Sequence, residues 1–309
     1  MSDIAVSVQA APADLLSWLD LARRLEASGF RGLLMGDHPG SGAAPMPALG
    51  AAAAVTRTLE LGTCVAQAGV REPAHVAADA ATLDLLAPGR VVLGIGAGHT
   101  PREWSDIGRR RPAPRERAER LTEFAEAVAA LLRGEKADLD GRHLALAGAQ
   151  LEDLPAGGRV RLTIGGGHPL ILAAAARHAD VVGLSGLGRT LPDGHYHEVR
   201  WTPTDVQRQL QLVRDEAKAA GNSPAIEVLV QSVQVTGDRT AAVEELAARI
   251  PGATAEDISR APFVLIGSHE QLADQLLAQA EDLGITRYVV REPAVPDLER
   301  VLALINPNG

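Results

Sequence analysis

The chain has 309 residues, a net charge of −9, one cysteine and 3% aromatic residues. A surface this acidic and this poor in stacking rings argues against a nucleic-acid partner, and the lone Cys64 leaves no internal disulfide to form, which fits a reducing compartment. The start MSDIAVSVQAAPADLL lacks a basic region followed by an apolar core, and the longest apolar run, around 48–55, is too short to span a bilayer. A cytoplasmic protein without a signal peptide or membrane contact is therefore expected.

Residues 4–8 read as a first strand. Asp14 is a plausible N-cap for a helix with Leu15, Trp18, Leu19, Ala22 and Leu25 on one stripe, closed by Ser28-Gly29. A short strand at 32–35 ends in Gly36-Asp37-His38-Pro39, and an Ala-rich helix follows over roughly 47–56. Residues 59–65 form the third strand. Pro73 opens a helix with Val76, Ala77, Ala80, Leu83 and Leu86 at helical spacing, broken by Pro88-Gly89.

The stretch 89–104, GRVVLGIGAGHTPREW, organises the rest of the chain. Val91, Val92 and Leu93 suit a strand buried on both faces, as in a parallel sheet, and the glycines at 94, 96 and 98 allow a turn and a close approach to a ligand. The dinucleotide fingerprint Gly-x-Gly-x-x-Gly does not fit. Its sixth position falls on His99 when counted from Gly94, and on Pro101 when counted from Gly96.

Residues 115–132 form the clearest helix, stopped by Gly134, and 134–159 read as a surface excursion. A strand at 160–164 runs into Gly165-Gly166-Gly167 and an Ala-rich helix over 169–178. Another strand at 180–184 ends at Ser185-Gly186, and a polar stretch over 187–204 leads to a helix over 204–220. The remaining elements are a strand at 226–235, an insertion to about 260, an extra apolar segment at 263–266, a helix with Leu272, Leu276, Ala280 and Leu283, a last strand at 287–290 and a closing helix over 298–305.

Eight strands alternating with helices, without a composition break, favour a (β/α)8 TIM barrel with insertions as one domain over 1–309. In such a barrel the strand ends converge on one face. They carry Asp37-His38, Cys64-Val65, Gly96 to His99, Gly165 to His168 and Ser185-Gly186, so polar and glycine residues collect where barrel enzymes do chemistry. The glycines at 165–167 open a helix, and the free N–H groups of its first turn suit a phosphate. Arg109-Arg110-Arg111 reads as a solvated face. No metal is expected.

Four segments together carry a resemblance: GDH at 36–38, LELGTCV at 59–65, REPAHVAADAATLDLLAPGRVVLGIGAG at 71–98 and RLTIGGGHPLILAAAARHADVVGL at 161–184. The chain resembles the luciferase-like monooxygenase superfamily over residues 14–290, and within it the branch that uses the deazaflavin coenzyme F420. The resemblance implies an oxidoreductase that passes hydride between the deazaflavin and a small organic substrate, as a homodimer.

It also implies roles for single residues. A non-prolyl cis peptide between Cys64 and Val65 would back the central ring. Asp37 would touch the ring edge, Ala97 and Gly98 would run along the cofactor, and Gly166, Gly167 and His168 would bind its phosphate. His38 is the first candidate for acid–base work, because imidazole titrates near working pH. His99 stands where some sugar-phosphate dehydrogenases of the family carry a catalytic Glu, which sets the chain apart from a sugar-phosphate substrate and leaves His99 as a second proton donor. Glu103 and Trp104 read as helix-start and packing residues. The substrate pocket falls to the loops at 39–47, 100–114 and 185–203. Two other readings stand beside this one: an FMN-dependent monooxygenase using reduced flavin and O2, and a barrel that binds a flavin or deazaflavin without turnover.

Overall fold

Eight short runs rich in Val, Leu and Ile close into a parallel barrel in the computed structural model, which describes residues 4–152, 160–190 and 197–306. The strands are β1 (Ala5–Gln9), β2 (Gly32–Met35), β3 (Glu60–Gln67), β4 (Val91–Gly96), β5 (Arg161–Gly165), β6 (Val181–Leu184), β7 (Ala225–Leu229) and β8 (Ile285–Arg291). Each pairs with its sequence neighbour, and β1 closes the ring on β8 with Ala5 opposite Arg287 and Gln9 opposite Arg291. The expected (β/α)8 barrel is the fold of this chain.

The alternation of side chains along each strand divides the core in two. Outward-facing residues such as Leu33, Leu61, Leu93, Ile95, Ile164 and Tyr288 are buried against the helices. A smaller inner cluster holds Leu34, Val92 and Val289, with Cys64 and Leu229 against it. Below it, Glu60 ties three strand starts together, accepting from Arg31 at 2.5 Å, Arg161 at 2.6 Å and Arg287 at 2.9 Å.

The first helix, Leu15–Ala27, starts as the sequence predicts, with the Asp14 carboxylate accepting from Leu16 N at 2.9 Å and Ser17 N at 3.0 Å. Three expectations are corrected. The strand expected over 226–235 is two: β7 stays in the barrel, while Ser232–Val235 leaves it to pair in parallel with Val264–Gly267, the extra apolar segment. The excursion after Gly134 contains an antiparallel pair, Ala137–Asp140 with Ala145–Ala149; residues 153–159 of it lie outside the described residues. The polar stretch after Gly186 contains a second pair, Leu187–Thr190 with His197–Val199, and 191–196 between them also lie outside. No helix among the described residues is long and apolar enough to cross a membrane.

Candidate functional site

The carboxyl ends of the strands open into a cavity of about 2060 Å³. Asp37, His38, Cys64, Val65, Ala97, Gly98, His99, Gly166, Gly167 and His168 all line it, so one wall system holds every site residue expected from the sequence. The three expected loops reach it through Gly42 and Ala43, through Glu103 and residues 110–114, and through Ser185, Leu187, Gly188 and residues 197–201. A small-molecule pocket is typically about 300–1,000 Å³, so this space has room for a coenzyme and a substrate together.

β3 bulges at its end. Its register against β4 shifts between Thr63 and Ala66, and the peptide bond between Cys64 and Val65 is cis. The Cys64 carbonyl accepts from Gln9 Nε2 at 2.5 Å. Its side chain packs in the inner core, and burial pushes the thiol up to about 12, which leaves no thiolate for nucleophilic attack.

The glycines of β4 have a packing reason besides the one expected. A Cβ on Gly94 would lie 2.1 Å from the Thr63 carbonyl, and one on Gly96 would lie 2.5 Å from Val65 Cγ2. They admit the bulge of β3, and Gly96 also lines the cavity. Gly98 sits at φ +73, and a Cβ there would lie 2.2 Å from Gln67 Oε1. Its missing side chain is the space that Gln67 fills.

The turn after β2 presents two polar residues that the fold uses oppositely. Asp37 is buried, and its carboxylate accepts from Arg71 Nε at 2.5 Å, Arg71 Nη2 at 2.7 Å and Gln67 N at 3.0 Å. Those contacts make Asp37 an anchor between β2, β3 and the turn after it. His38 is half-exposed to the cavity, and its Nδ1 lies 2.7 Å from Glu103 Oε1. The hydrogen bond to Glu103 raises the His38 imidazole above its ordinary 6.5, against the opposing effect of burial.

His99 packs edge-on between two other histidines, 5.9 Å from His38 and 5.0 Å from His197 between ring centroids. Burial, with the two neighbouring imidazoles behind it, lowers His99 to about 4. It is neutral at pH 7 and can donate one hydrogen bond. His168 caps the helix Pro169–His178, its Nδ1 accepting from Leu170 N at 3.2 Å, and burial lowers its pKa as well. A neutral imidazole is the form that this cap requires.

Four charged side chains at the cavity, Glu103, Arg110, Arg111 and Arg117, escaped the sequence reading. Glu103, taken as a helix-start residue, is buried on the short helix Pro101–Ser105 and is the partner of His38, while Trp104 beside it is the packing residue expected. The place of Glu103 in a loop already assigned to the pocket was the one available signal. The basic run at 109–111 is not wholly a solvated face, since Arg110 and Arg111 line the cavity with Arg117. Burial, with Arg111 nearby, lowers the Arg117 guanidinium to about 10.

The chain is 37% identical over 196 residues to an F420-dependent glucose-6-phosphate dehydrogenase of Beutenbergia cavernae, a match that takes in 60% of this chain and 57% of that protein. The chain thus spans little more than half the length of such curated relatives. Among solved structures, an F420-dependent secondary alcohol dehydrogenase in complex with an F420-acetone adduct superposes with a TM-score of 0.76 at 20% identity, over 99% of this chain and 98% of that one. A riboflavin lyase with modified FMN and riboflavin superposes equally well, TM-score 0.76 at 16% identity over 99% and 92% of the two chains. Both share the fold. The luciferase-like monooxygenase family matches residues 2–287, and with the barrel and the cavity at its strand ends in place, the chain belongs to that family.

Proposed function

We propose that the chain is an F420-dependent oxidoreductase that moves hydride between the deazaflavin and a small organic substrate, as a cytoplasmic homodimer whose single barrel domain is the catalytic unit. The observation that carries this reading is the pair His38 and His99, adjacent on the cavity wall and shifted in opposite directions, since acid–base roles at one site are assigned by neighbours that push two pKa values apart. The relatives named as F420-dependent support the choice of coenzyme.

The residues present suit a planar ring with an anionic tail. Cys64 and Val65 would stand behind the ring and Ala97-Gly98 along it, while Gly166, Gly167 and His168 lie at the start of a helix, where main-chain N–H groups favour a phosphate. When bound, the coenzyme supplies a ring carbon that takes or gives hydride. The protein's part is position and a proton. Neutral His38 accepts the hydroxyl proton of an alcohol substrate at Nε2 as the carbon loses hydride, and neutral His99 holds the same oxygen by a hydrogen bond. In the reverse direction, protonated His38 returns the proton to the carbonyl oxygen.

The test is an anaerobic assay of F420 reduction with a panel that includes secondary alcohols and glucose 6-phosphate, run beside oxygen uptake with reduced FMN. Substrate-dependent loss of deazaflavin absorbance supports the proposal. Oxygen uptake with reduced FMN, and no F420 turnover, would establish the monooxygenase reading instead. Binding with no turnover of either kind would leave a flavin-binding barrel.

A further inference from the structure

Glu103 is a carboxylate with 2% of its side chain exposed, and no arginine or lysine pairs with it among the described residues. Each oxygen has one fixed neighbour. Oε1 faces His38 Nδ1 at 2.7 Å, and Oε2 accepts from Gln67 Nε2 at 2.7 Å. Gln67 cannot turn away, because its Oε1 accepts from Gly69 N at 2.7 Å, its main-chain N donates to Asp37 at 3.0 Å, and its amide fills the space left by Gly98. The carboxylate is thus clamped before any ligand arrives.

An ionised carboxylate only accepts hydrogen bonds, so a neutral His38 beside it must carry its proton on Nδ1. The other nitrogen, Nε2, then keeps its lone pair; it has no hydrogen-bond partner among the described residues, and it lies 3.6 Å from where a Cβ on Gly36 would stand, at the cavity wall. We propose that Glu103 is a positioning residue of this enzyme: without touching substrate or coenzyme, it holds His38 as the Nδ1–H tautomer and turns Nε2 toward the substrate oxygen. The proposal rests on the reading of His38 as the group that exchanges the proton.

The charges around His38 agree with this. Glu103 faces it from the helix Pro101–Ser105, Asp37 from its own turn with Arg71 bound to it, and His99 from the loop after β4. The Glu103 hydrogen bond is the foremost cause of the raised His38 pKa, and His99, neutral at working pH, adds no opposing charge.

Glu103→Gln separates positioning from bulk. Gln67 Nε2 continues to donate to the new amide's oxygen, so the amide NH2 is directed at His38 Nδ1, and the neutral ring must carry its proton on Nε2. Protein labelled with 15N-histidine is titrated by NMR, wild type beside Glu103→Gln and Glu103→Asp. The expected result is an Nδ1–H tautomer in the wild type, a reversed tautomer and a lower His38 pKa in Glu103→Gln, and partial return in Glu103→Asp. The kcat for substrate oxidation by Glu103→Gln falls about a hundredfold, with KM little changed. A His38 titration and tautomer identical in wild type and both variants would overturn the proposal. A shifted titration with undiminished kcat would uphold Glu103 as the group that orients His38 and overturn the proton-transfer role of His38 itself.

Discussion

Across 5.9 Å, the imidazoles of His38 and His99 are driven apart by what surrounds them: a buried carboxylate on one, and burial with two imidazole neighbours on the other. The consequence for pH follows from the signs. His38 has its pKa raised above 6.5, and it accepts a proton only when neutral. Substrate oxidation should therefore rise with pH along a limb centred above 6.5 and then level, while His99, at about 4, stays neutral throughout and adds no second limb between pH 5 and 8. Replacing His38 with Gln should remove that limb and lower kcat by about a hundredfold to ten-thousandfold, with coenzyme affinity unchanged; kcat against pH is the measurement. Both histidines were visible as polar residues at strand ends. The carboxylate that differentiates them was not, because nothing in PREWS distinguishes a glutamate held under a Trp in the interior from one in water.

Elements were legible wherever a local rule fixed them. The strands of the barrel announce themselves as short apolar runs that end in glycine or a polar pair, and Asp14 and the Pro-initiated helices mark their own starts. Residues 226–235 failed for a physical reason. The run from Ile226 to Val235 holds no Gly or Pro to mark a break, yet Val230 N still donates to Val289 O of the barrel while Gln231 N donates to Phe263 O outside it. A change of partner needs no breaker residue, so it leaves no punctuation in the sequence. The pair at 137–149 was equally hidden, since it is held from a distance: Glu123, on the helix Pro114–Leu132, accepts from the main-chain N of Arg142, His143 and Leu144. Glu26 does the same for the turn before β3, accepting from the main-chain N of Arg57, Thr58 and Leu59 at 2.8, 2.6 and 3.0 Å. Burial opposes its ionisation, but these amides lower its pKa to about 2. Its stabilising effect is complete above the ordinary 4.5 and is lost as pH falls toward 2. Glu26→Ala should cost about 1–2 kcal/mol in urea unfolding at pH 7, by leaving amide donors without their acceptor, and the difference from wild type should shrink as pH falls through that window.

At the scale of the whole molecule, one barrel keeps two polar systems apart. The lower one is structural. Burial alone would raise the Glu60 carboxyl, but Arg287, Arg161 and Arg31 together outweigh it and hold the group below its ordinary range. Glu60→Gln would leave the guanidinium groups of Arg161 and Arg287 without their shared counter-charge and should destabilise the fold by about 3 kcal/mol, read by urea unfolding, without altering the cavity at the far end. The upper system is the site, where β2, β3, β4 and β5 bring His38, Val65, Gly98 and Gly167 to one cavity. The proposed activity requires that cavity to hold a deazaflavin. Fluorescence titration of the purified protein with F420 and with FMN, side by side, is its most direct test. Saturable binding of F420, at lower concentration than FMN, is the expected result; binding of FMN alone, or of neither compound, would contradict it.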